Sequence, residues 1–210
     1  MLISREHQFI FIHLYKTAGT SIKQVLRPLI VNGWEWAAAR ALKKLKLPVP
    51  ASMDPTPYPE HATAAELRSA MGPEAFDRKF SFAFVRNPWD WQVSLYKYML
   101  KTPAHFQHEK IRRMDNFKEY VFWRCQEEVR LQKNMICSEE GDVLVDYVGR
   151  FERLEEDFAE VCRHIGLPSL SLPRTNVSNT RPYRTFYDRE SRKWVEEAFA
   201  PDIEMFGYEF

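Results

Sequence analysis

The chain repeats one local pattern. A short apolar run ends in a small polar turn, and apolar residues at helical spacing follow at once. Its first instance is Phe9-Ile10-Phe11-Ile12, which gives way to His13-Leu14-Tyr15-Lys16-Thr17-Ala18-Gly19-Thr20-Ser21. Behind that turn Ile22, Val25, Leu26 and Leu29 fall on one helical face. The second instance is Lys79 to Val85, where Phe80, Phe82 and Phe84 alternate with Ser81 and Ala83. It ends in Arg86-Asn87-Pro88, with Asn87 suited to cap a helix and Pro88 to its first position, and the helical pattern runs through Leu100. Strand, turn and helix in this order predict an α/β fold.

The rest of the pattern fills in around these units. Trp34 to Leu47 reads as a surface helix with a basic face of Arg40, Lys43, Lys44 and Lys46. Pro48 to Pro59 holds five prolines and reads as a stiff extended loop rather than a domain linker. Thr63 and Glu66 have capping-box spacing at the start of a short helix, with Gly72-Pro73 as its stop. Asp115 to Ile136 reads as a helix burying Phe117, Tyr120, Val121, Cys125, Val129 and Leu131. Asp142 to Val148 is a strand candidate, and Glu152 to Ile165 an amphipathic helix ending at Gly166. Arg174 to Arg184 reads as a polar loop. Asp188 caps a last helix that stops near Pro201, and the aromatic end Phe206 to Phe210 is expected to pack on the body.

Composition narrows the picture. At 210 residues and 45% hydrophobic, the chain suits one domain, 1–210, with a real core. A net charge of +1 gives no global field for nucleic acid, so any basic surface is local. Cys125, Cys137 and Cys162 lack metal-type spacing and cannot all pair, so they read as buried free thiols of a reducing, cytoplasmic compartment. No apolar run is long enough to span a bilayer; the basic helix leaves peripheral contact with a membrane surface open.

The turn at 16–21 carries the first candidate chemistry. A helix N-terminus and a fan of backbone N–H groups at the end of a strand bind phosphate or a similar anion, and Lys16, Thr20 and Ser21 add a charge and two hydroxyls. The plainer reading is an ordinary connection capped by Thr20 or Ser21. Arg86 and Ser94, about two helical turns apart, could hold a second phosphate; a structural salt bridge is the ordinary role for such an arginine. His61 sits just ahead of a helix N-terminus, where the dipole disfavours an imidazolium and a neutral ring can take a proton. A lone loop histidine is more often a plain surface side chain. Lys16 precedes the glycine, so the turn is not a Walker A loop, and no clear magnesium-binding acid ends a later strand.

Taken together the motifs resemble the carbohydrate-type sulfotransferases of sulfotransferase family 2. Phe11 to Ser21 resembles their 5′-phosphosulfate loop, Pro-Lys-Thr-x-Gly-Thr-Ser. Phe82 to Asp90 with Val93-Ser94-Leu95-Tyr96 resembles their 3′-phosphate motif, and His61 to Glu66 the segment holding a catalytic histidine. Tyr147 to Glu152 and Asp202 to Tyr208 share the likeness. The resemblance implies a P-loop-like three-layer fold, with a central mainly parallel sheet flanked by helices. It implies transfer of a sulfuryl group from 3′-phosphoadenosine 5′-phosphosulfate (PAPS) to a hydroxyl of a polysaccharide, oligosaccharide or glycolipid, without a metal. His61 would be the base, and Lys16 would stabilise charge on the bridging oxygen. Amides of Thr17, Ala18, Gly19, Thr20 and Ser21 would hold the 5′-phosphate, Arg86 and Ser94 the 3′-phosphate, and Arg181 and Arg184 would close over the nucleotide. Tyr15 departs from the usual proline and Trp91 from an arginine. The competing readings are a nucleotide-dependent kinase and a non-catalytic anion- or glycan-binding module.

Overall fold

A computed structural model describes residues 1–30, 33–50, 58–173 and 181–210. In chain order the elements are β1 (Leu2–Ser4), β2 (Phe9–Ile12), α1 (Gly19–Leu26), α2 (Gly33–Lys44), α3 (Ala64–Met71), α4 (Pro73–Asp77), β3 (Phe80–Val85), α5 (Pro88–Lys101), α6 (His108–Arg112), α7 (Phe117–Glu127), β4 (Tyr147–Arg150), α8 (Leu154–His164), α9 (Arg189–Ala198) and α10 (Ala200–Phe206). The α/β expectation is met: a four-stranded, mainly parallel sheet is flanked by helices. The middle of the proline-rich loop, 51–57, and most of the polar loop, 174–180, lie outside the described residues.

The chain divides into two compact units. The first, Met1–Val85 with Met135–Asn176, holds the sheet in the order β1-β2-β3-β4. β1 runs antiparallel to β2, and β2, β3 and β4 are parallel. Phe9 and Phe11 stand beside Phe80 and Phe82 in register, so one face of the sheet is a ladder of phenylalanines. Phe11 stacks on Phe82 at 5.1 Å between ring centres, and Phe82 meets Phe84 edge-on at 6.4 Å. Ile22 and Leu26 of α1 and Phe158, Val161 and Cys162 of α8 complete this core. Each such side chain contributes about 1.5–3 kcal/mol by leaving water, which is why helical spacing in the sequence marked the right faces.

The second unit, Arg86–Asn134 with Val177–Phe210, is helical. Asn87 caps α5 by accepting from the Trp89 and Asp90 N–H groups, with Pro88 at the first turn, as its sequence predicts. Trp91 is buried edge-on against Phe199 at 6.3 Å. Gln92 accepts hydrogen bonds from Tyr120 Oη at 3.2 Å and from the buried Arg124 Nε at 3.3 Å. The aromatic terminus does pack down: Phe210 meets Trp89, Tyr183 and Tyr187 edge-on at 5.6–5.7 Å.

Several boundaries differ from the sequence reading. A strand, β1, precedes the first apolar run. The helix expected over Asp115–Ile136 ends at Glu127, and Val129 is exposed. The buried Asp202 carboxylate takes the N–H groups of Gln132 at 2.7 Å and Lys133 at 2.9 Å, which removes them from any helical ladder. Glu127 and Glu128 also oppose the helix dipole at that end. The strand expected over Asp142–Val148 lies at Tyr147–Arg150, because Asp146 turns its side chain onto the Ser81 N–H and hydroxyl at 2.7 and 2.8 Å. Pro201 opens α10 rather than merely stopping α9. The three cysteines are free and buried, as expected, and burial pushes the Cys125 thiol up to about 12.

Gly149 pairs with Phe84 across the β3–β4 ladder, and the ring of Phe84 covers it. A Cβ at position 149 would lie 2.5–2.9 Å from three ring carbons. Gly149→Ala should therefore destabilise the protein by about 1–3 kcal/mol, the usual cost of overfilling a packed core. Urea unfolding checks this; an unchanged midpoint would mean that the ring gives way freely.

Candidate active site

In the first unit, β2 stops at Ile12 and the chain turns tightly before α1. Lys16 and Ala18 both adopt left-handed backbone at φ 65°, with Thr17 between them on the ordinary side. Non-glycine residues rarely take this conformation, and pairs of them mark strained functional loops. Thr17 is fully buried, and its Oγ1 donates to the Leu14 carbonyl at 2.9 Å, pinning the turn from inside. The alternation of backbone hand points successive amides to one side, which is the geometry of an anion nest. Ala18 precedes the first helical residue, and its carbonyl accepts from Ile22 N–H at 3.1 Å. The amides of Gly19, Thr20 and Ser21 thus form the first turn of α1, where N–H groups have no acceptor within the helix. No acidic residue occupies that turn. This donor set, with Lys16 beside it in sequence, fits a phosphosulfate end. Neither Thr20 nor Ser21 acts as N-cap.

His13 leaves the sheet just before the turn and is buried. Its ring lies against Gly19 so closely that a Cβ there would come within 1.9–2.0 Å of two ring atoms. That contact makes glycine obligatory at position 19. The backbone carbonyl of His13 accepts a hydrogen bond from His61 Nδ1 at 3.0 Å. The two imidazoles lie 4.8 Å apart, and Tyr15 meets His61 edge-on at 5.9 Å. His61 itself is exposed, in the turn ahead of α3, whose capping box between Thr63 and Glu66 is present as predicted. Because Nδ1–H donates to a carbonyl, Nε2 carries the lone pair. His61 is therefore held against His13 and Tyr15 in one tautomer.

Sequence reasoning missed the cluster that holds this arrangement. Lys23 of α1 forms an ion pair with Glu60. Lys23 Nζ also donates to His13 Nδ1 at 3.5 Å, and Glu60 Oε1 lies 3.4 Å from the same nitrogen. Burial, then the neighbouring Lys23, the Met1 ammonium and His61, push the His13 imidazole down to about 2, against the pull of Glu60. It is a neutral ring. The hydrogen bond from Lys23 holds the Glu60 carboxyl down at about 2. The available signal was positional: Glu60 adjoins His61, and Lys23 follows the anion loop by two residues.

In the second unit Arg86 follows β3 directly. Its Nε donates to Asp90 Oδ2 at 2.8 Å, and its terminal nitrogen lies 2.8 Å from the same oxygen. Asp90 thus fixes the plane of the guanidinium. Gln132 clamps the Arg86 backbone from both sides, accepting from its N–H at 2.9 Å and donating to its carbonyl at 2.8 Å. Asp202 holds Gln132 in turn. Asp202 lies in a stretch that shares the family likeness, but nothing local in the sequence signals its contact with Gln132. Ser94 lies half-buried on α5. Arg181 and Arg184 are exposed; the Arg184 guanidinium lies over the Phe210 ring at 5.6 Å.

The Lys23–Glu60 pair has a defined pH dependence. A carboxyl depressed from 4.5 to about 2 adds stability that is fully present above pH 4.5 and is lost as pH falls towards 2. Wild type and Lys23→Met should differ most in melting temperature at neutral pH, and the gap should close below pH 4.5. A gap that stays constant down to pH 3 in a fluorescence melt would show that the pairing is not what Lys23 contributes.

A search of the curated proteins finds an uncharacterized protein of Archaeoglobus fulgidus that is 32% identical over 120 residues, spanning 56% of this chain and 93% of the relative. The family model described as "Sulfotransferase family" matches residues 1–209, across both compact units. The chain belongs to the sulfotransferase family, whose members transfer sulfuryl groups to an acceptor substrate.

Proposed function

We propose that this sulfotransferase moves a sulfuryl group from PAPS to a hydroxyl of a carbohydrate acceptor, with His61 as general base. The observation that carries the reading is the His61 Nδ1–H bond to the His13 carbonyl. It fixes the tautomer and leaves Nε2 as the basic nitrogen of a ring packed against His13 and Tyr15. PAPS, when bound, supplies the activated sulfuryl group and leaves as adenosine 3′,5′-bisphosphate. The amides of Thr17 to Ser21 orient the 5′ end. Lys16 stabilises the charge that grows on the bridging oxygen. His61 Nε2 takes the proton of the attacking hydroxyl. Arg86, held flat by Asp90, and Ser94 bind the 3′-phosphate and so favour this nucleotide over ATP. Arg181 and Arg184 add charge along the nucleotide. No step in this scheme calls on a metal.

The carbohydrate acceptor follows from the resemblance to the carbohydrate-type members, and the basic face of α2 suits an acidic glycan or the surface that carries a glycolipid. No helix among the described residues is long and apolar enough to cross a membrane. Buried free thiols fit a reducing compartment, for which we propose the cytoplasm.

His61→Ala should lower sulfuryl transfer by roughly 10²–10⁴-fold, as loss of a general base does, while adenosine 3′,5′-bisphosphate still binds. Near-normal turnover would remove His61 from the chemistry. Arg86→Ala should weaken adenosine 3′,5′-bisphosphate in calorimetry by about tenfold or more, the scale of a lost charge-assisted hydrogen bond. Unchanged affinity there would sink the 3′-phosphate assignment without touching that of His61.

A further inference from the structure

We propose that His13, Glu60 and His61 form a binding site for a divalent transition-metal ion, tested here as Zn²⁺, and that the bound ion withdraws His61 from proton transfer. The second clause rests on reading His61 as the base; the first does not.

Two imidazoles and a carboxylate are a zinc donor set. One ligand atom from each of the three residues lies within 4.8 Å of the others. His13 Nδ1 and Glu60 Oε1 are already 3.4 Å apart. With bonds of about 2.0–2.1 Å, the edge of a zinc tetrahedron is about 3.4 Å, so these two atoms need no rearrangement to share an ion. The third donor, His61, has only to swing inward in an exposed turn, and a solvent water completes four-coordination.

A second observation shows that this spot holds positive charge. The Lys23 ammonium is bound by the Glu60 carboxylate and by the Nδ1 lone pair of His13. Both donors therefore converge on a cation already, and the lysine is a tethered monovalent occupant. Its flexible stem can release the ammonium to water, whereas a divalent ion would gain the same two atoms and an additional imidazole. Glu60 and His61 are exposed, which leaves the approach open from their side. Such an ion is no cofactor. It competes with Lys23 for two ligands and with the acceptor hydroxyl for the third.

The test is a ZnCl₂ titration of the full-length, chelator-treated protein, read by competition with a chromophoric chelator. One ion per chain is expected. Glu60→Gln and His61→Ala should each weaken it by about tenfold or more, since even outer-shell changes around a metal cost 10–100-fold. Lys23→Met should bind Zn²⁺ more tightly than wild type, because it removes the competing cation. A merely loosened fold would not raise affinity, so this arm separates ligation from damage. The Glu60 side chain is 58% exposed, and its glutamine variant is expected to fold. Absence of Zn²⁺ binding, or equal affinity in all four proteins, overturns the site. In parallel, sulfuryl transfer by the wild type should fall as the site fills. Zn²⁺ that binds with the stated dependences yet leaves transfer unchanged upholds the site and overturns His61 as the base.

Discussion

The turn between β2 and α1 depends on the contact between the His13 imidazole and the backbone of Gly19. The Cδ2 and Nε2 atoms of His13 leave no room for a side chain at residue 19. The turn between β2 and α1 must therefore close tightly, and Lys16 and Ala18 absorb the curvature in left-handed backbone. Strain of that kind costs of order 1–3 kcal/mol per residue and persists only where the surroundings enforce it. Here they do: Thr17 is pinned to Leu14, Phe11 is locked in the phenylalanine ladder, and Ile22 and Leu26 hold α1 to the core. The result is a turn whose alternating backbone hand at Lys16, Thr17 and Ala18 is held by its own surroundings.

The same histidine also sets the state of its neighbour His61. Its carbonyl selects the tautomer of His61, and its neutral ring lies beside His61 without adding charge. A protonated His13 would place a positive charge 4.8 Å from the His61 ring. Burial together with Lys23 prevents that, while Glu60 compensates the lysine and ties the segment before α3 to α1. A half-exposed ion pair adds only about 0–1 kcal/mol to stability. Its value lies in position: it sets where residue 61 stands relative to the loop.

Much of this was legible in the chain. Alternation in Phe80 to Val85 and helical spacing behind Ser21 located β3, α1 and their buried faces, because period and burial are coupled directly. Caps at Asn87, Thr63 and Asp188 were legible for the same reason, since a short polar side chain three residues ahead of its N–H is a local relation. The loop, His61 and Arg86 were singled out through the resemblance of their motifs to the sulfotransferases, and their roles remain the proposal made above. What failed to show was non-local. Asp202 takes the N–H of Gln132, seventy positions earlier and just past the end of α7, and Gln132 then holds the Arg86 backbone. Glu60 meets Lys23 thirty-seven positions away. No periodicity encodes such pairs, and each involves residue types that are ordinary on a surface.

The two departures from the family pattern now have physical accounts. A proline ahead of Lys16 would stiffen the entry to the turn through its fixed φ. Tyr15 lacks that restraint, but its ring meets His61 edge-on at 5.9 Å, so it supports the histidine with side-chain packing in place of backbone rigidity. Trp91 replaces a charge with an indole that is only 1% exposed and rests on Phe199. An arginine at that depth would need a buried partner, and burying such a pair often gains nothing over a well-packed apolar contact. Neighbouring Asp90 is left to serve Arg86, whose guanidinium it holds through two nitrogens. The indole packs on Phe199, and the Arg86–Asp90 pair stands beside it intact.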